Sequence, residues 1–204
     1  MSPNSNLDRR GAGDRLKALG FQLDGAVNFL WIVIHHSAGK DGSTYDWPGI
    51  KKYHMSHRFN GEIITKERYD QLKREKAPGK LELPWTDIGY GAGIELVDGK
   101  YRISVGRTLT KIGAHAEGFN QQSLGICHVG NFDQAKPPEA IWNVSLPLVM
   151  DFMRWFAIPA KNVIGHYEVY PRLGQSIKKS CPGVKWIMEE FREAINARLE
   201  AAVA

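Results

Sequence analysis

Hydrophobic and polar positions along the chain fall into short blocks that predict strands and helices in turn. Phe29 to Ile34 is a continuous apolar run rich in Trp, Ile and Val, the pattern of a buried strand, and it ends on His35-His36. After a loop over Ser37 to Tyr45, Asp46 is placed to cap a helix with Pro48 in its first turn, and Ile50, Tyr53, His54 and His57 recur at helical spacing. Lys66 to Lys76 predicts a charged surface helix, and Ala77-Pro78-Gly79 breaks it. Small, aromatic and aliphatic residues then alternate from Gly89 to Val97, Asp98-Gly99 turns the chain, and Tyr101 to Val105 resumes the pattern, which predicts a hairpin. Ser123 to Val129 is a further strand, closed by Gly130-Asn131. Leu146 to Phe156 predicts a largely buried helix with Ser145 as its cap and Pro147 in its first turn. A short strand at Val163-Ile164 leads into Gly165-His166, and Val184, Ile187, Met188, Phe191, Ile195 and Leu199 describe one face of a C-terminal amphipathic helix. The order of elements predicts an α/β fold, a single mixed β-sheet flanked by α-helices, over residues 29–204. Residues 1–28, polar and then carrying Leu16, Leu19, Phe21 and Leu23, are expected to be an N-terminal extension, most simply a solvated tail.

Composition narrows the class without naming a reaction. A chain of 204 residues, 43% hydrophobic and 24% charged, suits one ordinary globular domain, and a monomer is expected. No uncharged apolar run approaches the ~18 residues of a membrane span, and the polar N-terminus lacks the apolar stretch of a secretory signal, which predicts synthesis without Sec export. The two cysteines, Cys127 and Cys181, suggest no disulfide framework. A formal charge of +5 favours polyanionic partners, and the absence of nucleic-acid-binding signatures ranks cell-wall polymers above DNA or RNA.

The candidate chemistry lies in histidine and cysteine. His54 and His57 share a helical spacing but have no carboxylate or cysteine nearby, which reads as a surface pair. His35 closes a buried strand, where an imidazole requires a partner, and His166 ends another short apolar stretch. Cys181 follows in Lys178-Lys179-Ser180-Cys181-Pro182-Gly183. A catalytic zinc takes three protein ligands and leaves one position open, and two histidines and a cysteine meet that demand. Their separation along the chain is no local zinc-finger signature, so the residues alone leave hydrogen-bonded core histidines as an equal reading.

Several ordered strings carry a resemblance. Val33-Ile34-His35-His36-Ser37-Ala38, Asp87-Ile88-Gly89-Tyr90, Gly113-Ala114-His115, Asn120, Ser123-Leu124-Gly125-Ile126, Gly165-His166-Tyr167-Glu168 and Lys179-Ser180-Cys181-Pro182 occur in the order seen in type 2 N-acetylmuramoyl-L-alanine amidases. The chain resembles their phage-lysozyme branch, which is similar in fold to the peptidoglycan recognition proteins. The match covers roughly residues 29–200 apart from the Asn60 to Trp85 region.

The resemblance implies a zinc hydrolase cleaving the lactyl-L-alanine amide of bacterial peptidoglycan. It implies His35, His166 and Cys181 as zinc ligands, with His36 a packed neighbour of the first. Tyr90 would hold or deprotonate the attacking water, and Lys179 would stabilise the oxyanion. His115 and Asn120 would line the substrate groove. Departures at Cys127 and Cys181 from the anhydromuropeptide-recycling branch argue against that role. Cys127 then reads as a structural thiol, and His128 points to the opposite strand face. With no export signal, a phage or prophage endolysin is expected, made in the host cytoplasm and acting on the wall after release, its basic balance aiding adhesion to anionic envelope polymers. The alternatives are a non-catalytic peptidoglycan-binding module of the same fold, a thiol hydrolase using Cys181, and a structural zinc with four protein ligands.

Overall fold

The computed structural model describes residues 4–40 and 46–202. Its centre is a five-stranded mixed sheet in the order β6-β5-β7-β1-β8. The strands are β1 (Trp31–His36), β5 (Ala92–Val97), β6 (Lys100–Val105), β7 (Ser123–His128) and β8 (Val163–Gly165). β5 and β6 form the expected antiparallel hairpin, while β5, β7, β1 and β8 run parallel. Burial on both faces explains why β1 opens on a continuous apolar run and why every residue of β7 is buried, whereas β6, on the edge, alternates.

The larger core lies on one face of this sheet. Ile32, Ile34, Ile94, Leu124 and Ile126 meet Leu148, Val149 and Phe152 of α4 (Glu139–Phe156) and Phe191 and Ile195 of α6 (Met188–Ala201). Each such side chain taken fully from water stabilises the fold by roughly 1.5–3 kcal/mol before entropy is counted. The opposite face carries α2 (Trp47–His54), the 106–119 loop and α5 (Val169–Arg172), with smaller clusters around Val33 and Ile164 and around Trp47 and Ile88.

Several sequence expectations change. The first 28 residues are not a solvated tail, because α1 (Asn4–Ala18) packs on α4 with Ala12 and Leu16 fully buried, and Arg15 pairs with Asp151. Phe21 then meets Phe152 edge-on at 5.0 Å. α4 begins at Glu139, so Ser145 and Pro147 lie inside it rather than at its start. The proline costs one helical hydrogen bond inside a helix whose buried face includes Ile141, Leu148, Val149 and Phe152. α2 ends at His54, so His57 does not continue it and lies instead on β2 (His57–Phe59). Asp46 makes no side-chain cap to α2, whose first amide, Trp47 N–H, donates to Glu95 on β5 at 3.0 Å. Part of the loop expected over Ser37 to Tyr45 lies outside the described residues.

The Asn60 to Trp85 region builds an addition to the expected single sheet. β3 (Glu62–Ile64), β2 and β4 (Leu81–Glu82) form a separate antiparallel sheet in the order β3-β2-β4, with α3 (Lys66–Arg74) between β3 and β4 in sequence. Strands of two or three residues are too short to show a period in the sequence. Thr65 caps α3, accepting from Arg68 N–H at 3.2 Å.

Candidate metal centre

Strand register brings the histidines together. Ile34 pairs with Gly165 across the parallel β1–β8 ladder, so His35 and His166, each one residue further on, stand side by side where β8 ends. Their ring centroids are 4.6 Å apart. The third member arrives on a loop tied to the exit of β8, where Tyr167 N–H donates to the Cys181 carbonyl at 2.8 Å. The donor atoms of His35, His166 and Cys181 lie within 4.8 Å of one another, the group of His, Cys, Asp or Glu side chains among the described residues that could hold a metal ion.

The donor set suits such an ion. His35 Nδ1 and Cys181 Sγ are 3.6 Å apart. A tetrahedral ion with bonds of ~2.0–2.1 Å to nitrogen and ~2.3 Å to sulfur separates two such ligands by about 3.6 Å. His36 N–H donates to Cys181 Sγ at 3.4 Å, which orients the sulfur. Two imidazoles, one thiol and an adjoining cavity are consistent with a zinc site that keeps an open position.

Alternation along β1 separates His35 from His36. The His36 ring points away from the cluster, its Nδ1 accepting from Phe132 N–H at 3.2 Å and its Nε2 3.9 Å from Asp133. Asp133 also accepts from Ser180 Oγ and Val184 N–H, and so holds the loop that carries Cys181. His128, in register with His36, likewise faces α4. Its Nδ1 is 3.2 Å from the His35 carbonyl and its Nε2 2.8 Å from Ser145 Oγ, so Nδ1–H donates to the carbonyl and the serine hydroxyl donates to Nε2.

Around the three donors opens a cavity of about 430 Å³ lined by Tyr90, His54, Trp85, His115 and Lys179 among others. It adjoins a second cavity of about 510 Å³ that shares His54 and Tyr90 and reaches Lys52, Tyr53 and Ile63. Burial, helped by neighbouring cationic or potentially cationic groups, keeps the imidazoles neutral. It holds His35 well below the usual histidine range and lowers His54, His115 and His166 to about 4. Burial also pushes the Cys181 thiol up to about 12, opposed by the His36 amide and by Lys179. A bound cation would reverse that preference and favour the thiolate. Tyr90 is raised well above the usual phenol value, by burial first and then by Cys127 and Cys181.

The family model for N-acetylmuramoyl-L-alanine amidases (Amidase_2) matches residues 26–184. The chain belongs to this amidase family. Among curated relatives it is 31% identical to an endolysin of Klebsiella phage KP32 over 65% of this chain and 83% of that one. It is 40% identical to the endolysin of Escherichia phage T7 over 58% of this chain and 74% of that one. Peptidoglycan-recognition protein LB of Drosophila melanogaster is 32% identical over 54% of this chain, which spans only 44% of that protein's length. Among solved structures, the N-acetylmuramoyl-L-alanine amidase LysC from Clostridium intestinale matches with a TM-score of 0.53 at 22% identity, covering 86% of this chain and 90% of that one. That likeness establishes the mixed-sheet amidase fold. No helix of the described residues is long and apolar enough to cross a membrane.

The sequence-derived residues of this amidase-family chain are distributed as follows. His35, His166 and Cys181 converge, and Tyr90, His115 and Lys179 line the same cavity. Asn120 lies behind it, its Oδ1 accepting from the amides of His115 and Ala116 at 2.8 Å each, so its carbonyl oxygen is committed to the loop. Both ring nitrogens of His115 are engaged, with His35 Nε2 at 3.0 Å and the Ser123 carbonyl at 3.2 Å. Cys127 is fully buried and in hydrogen-bond contact with Tyr90, a partnership between distant segments that spacing cannot reveal. His54 is not the surface residue that its spacing with His57 predicts. It is buried in the cavity wall, stacked on Trp85 at 4.4 Å and accepting from Gly89 N–H at 3.2 Å. Its position on the helix face shared with Ile50 was the available signal, and the false continuation to His57 obscured it.

Proposed function

We propose that the protein is a zinc-dependent N-acetylmuramoyl-L-alanine amidase that hydrolyses the amide between the lactyl group of N-acetylmuramic acid and the L-alanine of the stem peptide, and that it serves as a phage or prophage endolysin. One observation carries the reading: His35, His166 and Cys181 converge at a cavity that Tyr90 and Lys179 also line. Zinc in this position would supply Lewis acidity, polarising a carbonyl and making water acidic enough to attack it near neutral pH.

The chain's own groups divide the remaining work. Tyr90, kept protonated by its raised pKa, holds water through its hydroxyl, and of its two expected roles this is the one a neutral phenol fills. Lys179 brings an exposed ammonium to the cavity mouth, where it stabilises the oxyanion as charge develops on the scissile carbonyl. Trp85 and His54 exclude water from one wall. Cys181 serves as a ligand and not as a nucleophile.

The phage endolysins among the relatives support the lytic role, and a complete set of three metal donors beside Tyr90 and Lys179 favours an enzyme over a binding module. Acting on the wall after release from the host cytoplasm follows from that role. The net charge of +5 would help the protein adhere to anionic envelope polymers. The decisive experiment digests purified peptidoglycan with and without chelator and identifies newly freed amino termini. L-alanine termini that disappear on metal removal are the expected result. Binding without cleavage would leave a recognition module, and cleavage blocked by alkylation but indifferent to chelator would point to a thiol hydrolase.

A further inference from the structure

We propose that His115 is a positioning residue that fixes the tautomer of His35, keeping His35 Nε2 protonated and its Nδ1 bare toward Cys181. The inference rests on the reading of His35 as a metal ligand for its consequence, but its geometry stands independently. A backbone carbonyl only accepts, so the 3.2 Å contact between His115 Nε2 and the Ser123 oxygen places a proton on that nitrogen. His115 is 8% exposed, and its ring contacts are that carbonyl and two other rings, so it is neutral and its Nδ1 carries a lone pair. The 3.0 Å contact from that lone pair to His35 Nε2 therefore requires the proton on His35 Nε2. What remains on His35 is an unprotonated Nδ1, and this is the atom 3.6 Å from the Cys181 sulfur. The order runs from the Ser123 carbonyl through His115 to His35 and ends on a lone pair aimed at the other donors.

Two glycines make room for this relay. A Cβ on Gly125 would stand 2.5 Å from His115 Cγ and 2.8 Å from its Nδ1, and one on Gly113 would stand 2.8 Å from its Cδ2. The imidazole lies across the bare backbone of β7 and cannot keep this pose over an alanine. With both ring nitrogens used internally, His115 acts on the site through His35 rather than by offering a ring nitrogen to substrate.

The test begins with the metal-free wild-type protein labelled with 15N-histidine. Long-range proton–nitrogen NMR should show His35 as a single tautomer with the proton on Nε2. His115→Leu should give a mixture of tautomers at His35 and a zinc affinity 10- to 100-fold weaker. His115→Gln presents one acceptor and one donor in a planar amide, and should restore the single tautomer and bring zinc affinity to within a few-fold of wild type. Gly125→Ala, which displaces the ring without removing it, should behave like His115→Leu. A proton on His35 Nδ1 in the wild type would overturn the proposal without any variant having to fold, as would an unchanged His35 signal in a folded His115→Leu protein. Failure of the wild type to bind zinc would instead remove the functional reading, and the tautomer measurement would still decide the relay.

Discussion

The candidate metal centre and the small sheet β2–β4 both bury polar side chains near the same cavities, but in different charge states. At the ends of β1 and β8 the buried groups are imidazoles and a thiol, all driven toward neutrality and leaving lone pairs directed at one another. In the small sheet the buried group is Arg58, 1% exposed, which is a permanent cation. Its Nη1 donates to the carbonyls of Tyr53 and His54 at the C-terminus of α2, Glu82 lies 3.6 Å away, and the rings of Tyr53 and Trp85 lie 4.7 and 5.3 Å from the guanidinium carbon. Its Nε has no partner. One region is arranged to receive a cation and the other already contains one. A neutral imidazole is cheap to bury and remains a ligand, whereas a guanidinium needs carbonyls, a carboxylate and aromatic faces around it, and it then serves as an anchor.

The sharpest way to break this contrast is to remove a donor from the first region. Cys181→Ser should weaken zinc binding by more than 100-fold and abolish peptidoglycan hydrolysis, as read by metal analysis and by release of L-alanine termini. Full metal retention in this variant would remove Cys181 from the centre. Lys179→Ala should lower turnover about 10²–10³-fold with zinc retained, and loss of metal from it would give the lysine a structural part.

Changes in the second region should act on stability alone. Arg58→Met leaves two helix-terminal carbonyls without their donor and Glu82 without its neighbour, and should cost about 2–3 kcal/mol in urea unfolding. Its zinc content should match wild type. Parallel loss of metal would mean that the small sheet and the centre melt as one unit.

The smallest effect concerns protons. Burial, with help from the potentially cationic His36, lowers His128 to about 3, while its bond to the His35 carbonyl opposes the shift. The unfolded chain therefore takes up a proton at this residue at higher pH than the native state does. Its contribution is complete above the unfolded value near 6.5 and is lost as pH falls toward about 3, amounting to about 2 kcal/mol between neutrality and pH 5. His54, His115 and His166, lowered to about 4, act with the same sign. In the metal-free protein, His128→Gln should lose less stability than wild type between pH 7 and pH 5. An equal loss would show that His128 titrates normally in the fold.

Much of the architecture was legible because its signals are local. The β5–β6 hairpin follows from alternation around Asp98-Gly99, and β1 from an unbroken apolar run. α4 was cut short because a proline and a serine look like a helix start, and only the burial of Ile141 and Ser145 shows that the helix begins earlier. α1 is not legible in the sequence because it is polar over most of its length, and the extensive packing that holds it on α4 has no counterpart in its own pattern. Of the site, the three donors His35, His166 and Cys181 were legible as residues that could converge on one ion. Its second layer, in which Asn120 holds the loop, Cys127 meets Tyr90 and His115 meets His35, was not.

By itself the sequence determined which residue types are present and that neighbours on a strand face opposite ways. Alternation is a property of the covalent backbone, so His35 and His36 had to diverge, as did Cys127 and His128. Tertiary structure decided that Ile34 pairs with Gly165, that the Cys181 loop docks against the end of β8, and that an imidazole lies over Gly125. Those relations join segments far apart in the chain, and packing and hydrogen bonding select them only when the whole sheet forms.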